Sequence, residues 1–181
     1  MKYPEEYRAE LLNAIQGIDL DRVSETIEVF REARAHGKRI FVCGSGSRAA
    51  AAARLLCDTV RSASLTRSAR FRILALSEEL PEVNAAQDRV FVEQLKSVAE
   101  HGDVVVAISA WGNSADVLRA VEFANRIGCR TISITGKDGD KLAGMSSIAI
   151  LVPASHLGSV EDSHSVVCHM IGYYFVNFDQ G

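Results

Sequence analysis

Two kinds of hydrophobic pattern alternate along the chain. Short, nearly continuous apolar runs predict buried strands, and longer segments with apolar residues at every third or fourth position predict helices that bury one face. The apolar runs predict strands at 39–43, 71–76, 103–108, 130–134 and 148–152. The periodic segments predict helices at 7–35, with a break near 17–19 that Asp19 or Asp21 caps, and at 48–60, 88–100, 115–127 and about 160–178, with a short helix around Leu142.

The order of these elements predicts an α/β fold. Strands that alternate with helices through short connections form a parallel sheet covered on both faces, and strands of continuous apolar character fit that burial. The sequence therefore predicts a three-layer, doubly wound domain with a five-stranded parallel sheet. Residues 1–37 form an N-terminal helical segment before the first strand, and residues 38–181 form the sheet domain, within a single domain overall.

Composition excludes several classes of protein. Twenty basic and 23 acidic residues give a net charge of −3, which argues against a general nucleic-acid or membrane-surface binder. No apolar run reaches the roughly 20 residues that span a bilayer. The acidic start of the chain differs from a signal peptide, so we expect a cytoplasmic protein. The four cysteines are widely spaced, which favours buried free thiols.

Two polar loops follow predicted strands and open predicted helices. They are C-G-S-G-S at 43–47 and S-A-W-G-N-S at 109–114. Ligands of open α/β sheets bind at the carboxyl ends of the strands, where glycines and free helix N–H groups suit an anion. The alternative is that both loops are tight turns with capping serines. Neither loop matches a P-loop or the full dinucleotide pattern, so the sequence favours the phosphate of a small molecule.

These loops, with later motifs, resemble the sugar isomerase (SIS) domain family, and within it the phosphoheptose isomerases. The resemblance covers about residues 7–178. The further matching segments are G-D-V-V-V-A-I-S at 102–109, G-N-S-A-D-V at 112–117, T-G-K-D-G-D-K-L-A-G at 135–144 and E-D-S-H-S-V-V-C-H at 161–169.

The resemblance implies a phosphate-binding loop at 109–114. In the family this loop has the sequence S-T-S-G-N-S. Here Ser109 and Ser114 are retained, whereas Ala110 and Trp111 replace two hydroxyl residues. Trp111 should narrow the pocket. Together the loops and the resemblance give the following candidate substrate-binding residues: Ser45, Gly46, Ser47, Arg48, Arg54, Ser109, Trp111, Gly112, Asn113 and Ser114.

The resemblance also implies an aldose–ketose isomerase that works through an enediol. The family's base, a glutamate, aligns with Asp58, and its histidine aligns with His169, which can donate or accept a proton. Glu161 is the reserve candidate for the base and lies one helical turn before His164, which it can hold. Helical spacing alone leaves His169 open to a second interpretation, a core or interface histidine, and leaves Arg54 and Asp58 open to being a surface ion pair.

Some family members bind zinc, but we expect no metal and no other cofactor here. Arg54 occupies a position that the resemblance assigns to a zinc ligand, and a guanidinium stays protonated. The family also implies a homo-oligomer, a tetramer, with sites at subunit contacts. The amphipathic N-terminal helices and the apolar last helix agree with an oligomer.

Two matters stay open from sequence. The chain is either an isomerase or a non-catalytic module that binds a phosphorylated sugar, since Arg54, Asp58, Ala110 and Trp111 depart from the family pattern. The basic segment 61–72 is either a solvated loop or an arm that reaches the site of a neighbouring subunit.

Overall fold

The computed structural model describes residues 2–65, 69–77 and 87–179. Five strands and seven α-helices lie in these ranges. The strands are β1 (Arg39–Gly44), β2 (Arg72–Ala75), β3 (Val104–Ser109), β4 (Arg130–Gly136) and β5 (Ile148–Val152). The helices are α1 (Tyr3–Gln16), α2 (Leu20–Ala35), α3 (Ser47–Ala63), α4 (Val90–Val98), α5 (Ala115–Arg126), α6 (Asp140–Met145) and α7 (Leu157–Asn177), with a 3₁₀ turn at Gln87–Arg89.

The five strands form one parallel sheet in the order β2-β1-β3-β4-β5. The predicted fold class is therefore confirmed. The chain leaves β1 toward β2 on one side and returns to β3 on the other, so the strand order reverses between β1 and β3. Gly44 pairs with Ile108, which places the loop after β1 beside the loop after β3. This is where ligands of doubly wound sheets bind.

Two apolar layers hold the sheet between the helices. On one face, α2, α3 and α7 contribute large side chains such as Phe30, Leu56 and Phe175 to the core. On the other, α4, α5 and α6 contribute Phe91 and Leu142, among others. Each such side chain stabilises the fold by about 1.5–3 kcal/mol through removal of apolar surface from water.

The break between α1 and α2 occurs where the sequence predicted it. Asp19 accepts hydrogen bonds from the backbone N–H groups of Asp21 and Arg22, at 2.9 and 3.3 Å, and caps α2. Ala14 of α1 and Phe30 of α2 belong to the same core cluster as α3 and α7. The division of a single domain into an N-terminal helical segment, 1–37, and a sheet domain, 38–181, stays a prediction.

Helices α3 and α7 pack closely and run in the same direction. Arg48 approaches Glu161 near the start of both helices, and Thr59 faces Gly172 farther along. A Cβ atom at Gly172 would lie 2.8 Å from Thr59 Cγ2, so the glycine permits this contact. In the described ranges, none of the helices is long and apolar enough to cross a membrane. All four cysteines are buried and free, as predicted.

The segment 61–72 is not one exposed loop. Arg61 belongs to α3 and donates a hydrogen bond to the carbonyl of Ile73, at 3.2 Å. Arg72 belongs to β2 and donates to the carbonyl of Gly37, at 3.0 Å. Residues 66–68, which include Arg67, lie outside the described residues. The two end arginines thus support the backbone, which corrects the loop interpretation for them.

Candidate functional site

The loop after β1 delivers the chain into α3 through Gly46. Its φ of +88° is a conformation that L side chains rarely adopt, so glycine is required there. The carbonyl of Gly46 accepts the N–H of Ala50 at 2.9 Å and starts the helix. The N-cap residue Gly46 has no side chain that could cap α3, and Ser47 and Arg48 begin a first turn whose N–H groups suit an anion.

The loop after β3 depends on Gly112 and a pair of serines. Gly112 has φ +61°, and a Cβ atom there would lie 2.5 Å from the Cα of Gly139 in the following loop. Ser114 precedes α5, and its Oγ lies 3.2 Å from Ser109 Oγ. Because Ser109 is buried at the end of β3, its hydroxyl is fixed in place and positions the hydroxyl of Ser114. Within the described residues the Ser114 side chain does not cap α5, and the Asp116 carboxylate accepts the N–H of Val117, so the N–H groups before Val117 are the ones that suit an anion.

The two loops enclose a cleft of about 510 Å³. Its lining includes three predicted binding residues, Ser45, Gly46 and Ser114. Trp111 and Asn113 are exposed beside it and do not line it; the Trp111 side chain is 40% exposed. The narrowing of the pocket by Trp111 therefore stays a prediction.

Two carboxylates that sequence reasoning missed also line the cleft. Asp88 Oδ2 lies 2.7 Å from Nη2 of Arg119 on α5, and Asp88 Oδ1 is buried and has no hydrogen-bond partner within the described ranges. Asp116 Oδ1 accepts the N–H of Val117 at 2.9 Å. Asp88 belongs to a single 3₁₀ turn, which has no period for a pattern to reveal. Asp116 follows Ser114 by two residues, and this short spacing from a predicted binding residue could have identified it as a residue of the cleft.

Asp58 lies on the exposed face of α3 in an ion pair. Its Oδ2 lies 2.7 Å from Arg54 Nε, and its Oδ1 lies 3.8 Å from Arg61 Nη1. The hydrogen bond to Asp58 raises the pKa of Arg54 above its ordinary value. The surface ion pair predicted as an alternative is thus present. It does not exclude a catalytic role, because the pair is accessible.

Glu161 lies at the glycine-loop end of α7. Arg48 Nε is 3.9 Å from Glu161 Oε2, and Arg48 Nη1 is 3.9 Å from Asp162 Oδ1. Tyr7 of α1 donates a 2.6 Å hydrogen bond to Asp162 Oδ2, which raises the pKa of Tyr7 to about 12. Arg48 is therefore held near the start of α3 by two carboxylates of α7.

The two histidines of α7 differ in their surroundings. His169 is exposed, with its ring centroid 5.4 Å from that of Tyr173. His164 is buried, and burial lowers its pKa to about 4. In the part of the chain that the structure describes, its Nε2 has no hydrogen-bond partner, and Glu161 instead approaches Arg48, so the structure does not support a hydrogen bond from His164 Nε2 to Glu161.

Within one chain, the predicted site residues fall into two separate groups. Because α3 and α7 run parallel, Asp58 and His169 lie at nearly the same level along the helix pair. Asp58 comes eleven residues after Ser47, which places it roughly 16 Å along the axis from the start of α3. The structure therefore brings Ser45, Gly46 and Ser114 together at the cleft and leaves Asp58 and His169 well below it on the same chain.

The ligand set for zinc does not assemble within one chain. Asp58 is paired with Arg54, and Glu161 lies about ten residues of helix away from the level of Asp58. Over 2–65, 69–77 and 87–179, no three His, Cys, Asp or Glu side chains come close enough to hold a metal ion. The expectation that the protein uses no metal stays a prediction.

Comparison with known proteins agrees with this architecture. The model of the SIS domain matches residues 3–136. A phosphoheptose isomerase of Citrifermentans bemidjiense is 31% identical over 90% of this chain and 86% of its own. The structure of phosphoheptose isomerase from Neisseria gonorrhoeae superposes with a TM-score of 0.86 at 24% identity, over 96% of this chain and 97% of that one. A phosphoheptose isomerase from Francisella tularensis gives 0.85 at 18% identity, over 96% and 94%.

The two structural likenesses establish the fold, and the family is established by sequence. The SIS model covers well over half of the chain, and the curated relative matches nearly all of it. The glycine loops, the strand order and these matches agree, and the chain belongs to the SIS domain family.

Proposed function

We propose that this protein is a phosphosugar isomerase that interconverts an aldose phosphate and a ketose phosphate through an enediol. The observation that carries the proposal is the cleft between the loops after β1 and β3, where the N-termini of α3 and α5 and the Ser109–Ser114 pair meet. Relatives named phosphoheptose isomerase, similar over most of this chain, support the same reaction class.

The phosphate group belongs at the helix N-termini. Ser114 offers its hydroxyl, held by Ser109, and the first N–H groups of α3 and α5 offer further donors. Charge-assisted hydrogen bonds of this kind are stronger than neutral ones. Ser45 lines the same cleft and can bind the sugar or its phosphate.

The proton transfers are assigned to Asp58 and His169. The Asp58 carboxylate removes the proton from the carbon next to the carbonyl, and the C–H electron pair forms the C=C bond of the enediol. His169 protonates the former carbonyl oxygen and removes the proton from the neighbouring hydroxyl, and Asp58 returns its proton to the former carbonyl carbon. Arg54, paired with Asp58, is placed to steady the enediolate oxygen.

The separation of the two groups supports a homo-oligomer with shared sites. Asp58 and His169 of one chain would complete the cleft of another. Apolar side chains are also exposed on α7, the helix that carries His169, where Tyr173 is 49% and Val176 41% exposed, and on α1, where Leu12 is 53% exposed. We propose a tetramer, in which these faces are covered.

An assay of isomerisation tests the proposal. The protein is incubated with sedoheptulose 7-phosphate, fructose 6-phosphate and ribulose 5-phosphate, and a thermal-shift measurement is run on the same compounds. Turnover of at least one compound is expected. Stabilisation without turnover would instead favour a non-catalytic binding module, the alternative that the Arg54–Asp58 ion pair and Trp111 in the phosphate loop favour.

A further inference from the structure

The cleft has an unusual balance of charge for a phosphate site. Two of its described lining residues, Asp88 and Asp116, are acidic, and none is basic. Asp116 lies beside Ser114 in the first turn of α5, whereas Asp88 lies in the 3₁₀ turn. A carboxylate repels a phosphate dianion, so the wall that carries Asp88 is less suited to that end of the ligand than the serine loops are. Carboxylate oxygens accept hydrogen bonds from hydroxyl groups, which a sugar carries in number.

Asp88 is held in place but keeps one oxygen without a donor. Its Oδ2 forms the 2.7 Å ion pair with Arg119, which fixes the carboxylate against α5. Its Oδ1 is buried and has no hydrogen-bond partner among the described residues, while the Asp88 side chain as a whole is 30% exposed. A buried acceptor without a donor is costly. Because the carboxylate as a whole is partly exposed, a small rotation of the side chain lets a hydroxyl of a ligand in the cleft relieve that cost.

We infer that Asp88 is a specificity-determining residue that accepts a hydrogen bond from a hydroxyl of the sugar chain, while Arg119 positions it. The inference rests on the proposed function and assigns the two ends of the ligand to two walls of the cleft. The phosphate lies at the serine loops and helix N-termini, and the polyhydroxyl chain lies toward the 3₁₀ turn at Gln87–Arg89. The preferred ligand is therefore a phosphate ester whose polyhydroxyl chain is uncharged, and not one that presents a second anion at that wall.

Calorimetric titration of three proteins with two probes tests this assignment. The proteins are the wild type, Asp88→Ala and the control Glu93→Ala, which removes a carboxylate from an exposed ion pair with Lys96 on α4. The probes are inorganic phosphate and whichever sugar phosphate of the isomerisation panel the wild type binds. Asp88→Ala should weaken sugar phosphate binding about tenfold or more, the usual scale for a hydrogen bond to a charged group. It should leave phosphate affinity unchanged or slightly improved, and Glu93→Ala should change neither.

A second variant guards against a change in folding. Asp88→Asn keeps the shape and one acceptor oxygen, so its loss in sugar phosphate affinity should be smaller than that of Asp88→Ala. Equal weakening of both probes by Asp88→Ala would show a structural role and overturn the inference. Unchanged or improved affinity for the sugar phosphate would also overturn it. If the wild type neither binds nor isomerises any sugar phosphate, the proposed function itself fails, which is a distinguishable result.

Discussion

Ser114 is the side chain on which the anion site depends most directly. Its hydroxyl lies at the start of α5 and is supported by buried Ser109 at 3.2 Å. Ser114→Ala should cost about 1.5–3 kcal/mol of affinity for a phosphosugar, because a hydrogen bond to a charged group is lost. Calorimetry measures the loss. Ser97→Ala, which removes an exposed hydroxyl bonded to the carbonyl of Glu93, is the matched control. Equal affinities for both variants would refute the placement.

His164 makes the stability of the fold depend on pH. Burial lowers its pKa from 6.5 to about 4, so the folded chain keeps it neutral where the unfolded chain protonates it. The contribution of His164 to the free energy of unfolding is fully present above about pH 6.5. It is lost as the pH falls through 4, by about 3 kcal/mol in total.

The His164 prediction is measured by urea unfolding between pH 7.5 and pH 4 at fixed protein concentration. The difference in unfolding free energy between wild type and His164→Leu should shrink or reverse as the pH falls, because the variant lacks the titrating group. His36→Leu, at an exposed position, should run parallel to wild type. A pH-independent difference for His164→Leu would contradict the burial argument.

At the scale of elements, pattern and period were sufficient for most of the fold. The strand β5 was predicted at 148–152, as observed, while β4 continues two residues past Ile134 because Thr135 pairs with Ser109. The glycine loops predicted the cleft because a glycine-rich turn after an apolar strand lies at the carboxyl edge of the sheet, where ligands bind. Asp88 was missed because no period marks a single 3₁₀ turn, and the level of Asp58 relative to His169 depends on how α3 and α7 pack, which no local pattern encodes.

The contact of α3 with α7 is tested at Gly172. An added methyl group would lie 2.8 Å from Thr59 Cγ2, so the two helices would have to separate. Gly172→Ala should destabilise the fold by about 1–3 kcal/mol, the usual cost of overpacking. Gly144→Ala is the control: a Cβ atom there meets nothing within 4 Å, and alanine is favoured in a helix by up to about 1 kcal/mol. Urea denaturation that ranks the two variants in the opposite order would show that the helices tolerate separation.

At the scale of the whole molecule, the assigned chemistry predicts a clear order among three variants. Asp58→Asn and His169→Ala should each lower kcat by about a hundredfold or more, the usual effect of removing a positioned base or acid. Glu161→Gln should matter much less, since Glu161 lies with Arg48 at the other end of α7. Activity lost only in Glu161→Gln would transfer the base role to that residue. Steady-state kinetics with circular dichroism of each variant separates loss of function from loss of fold.

The distance within one chain leads to the last prediction. Ser114 at the cleft, which binds the phosphate, and Asp58, roughly 16 Å along α3 from its start, cannot both contact one small sugar phosphate unless two chains supply them. Ser114→Ala and Asp58→Asn chains, each of low activity alone, should therefore regain activity when unfolded, mixed in equal amounts and refolded together. Each shared site takes Ser114 from one chain and Asp58 from another, and each residue is intact in half of the chains. After random assembly, about a quarter of the shared sites therefore contain both intact residues. Refolding each variant alone is the control. Activity of the mixture no higher than the average of the two controls would show that Ser114 and Asp58 act within one chain, or that Asp58 does not act at this site.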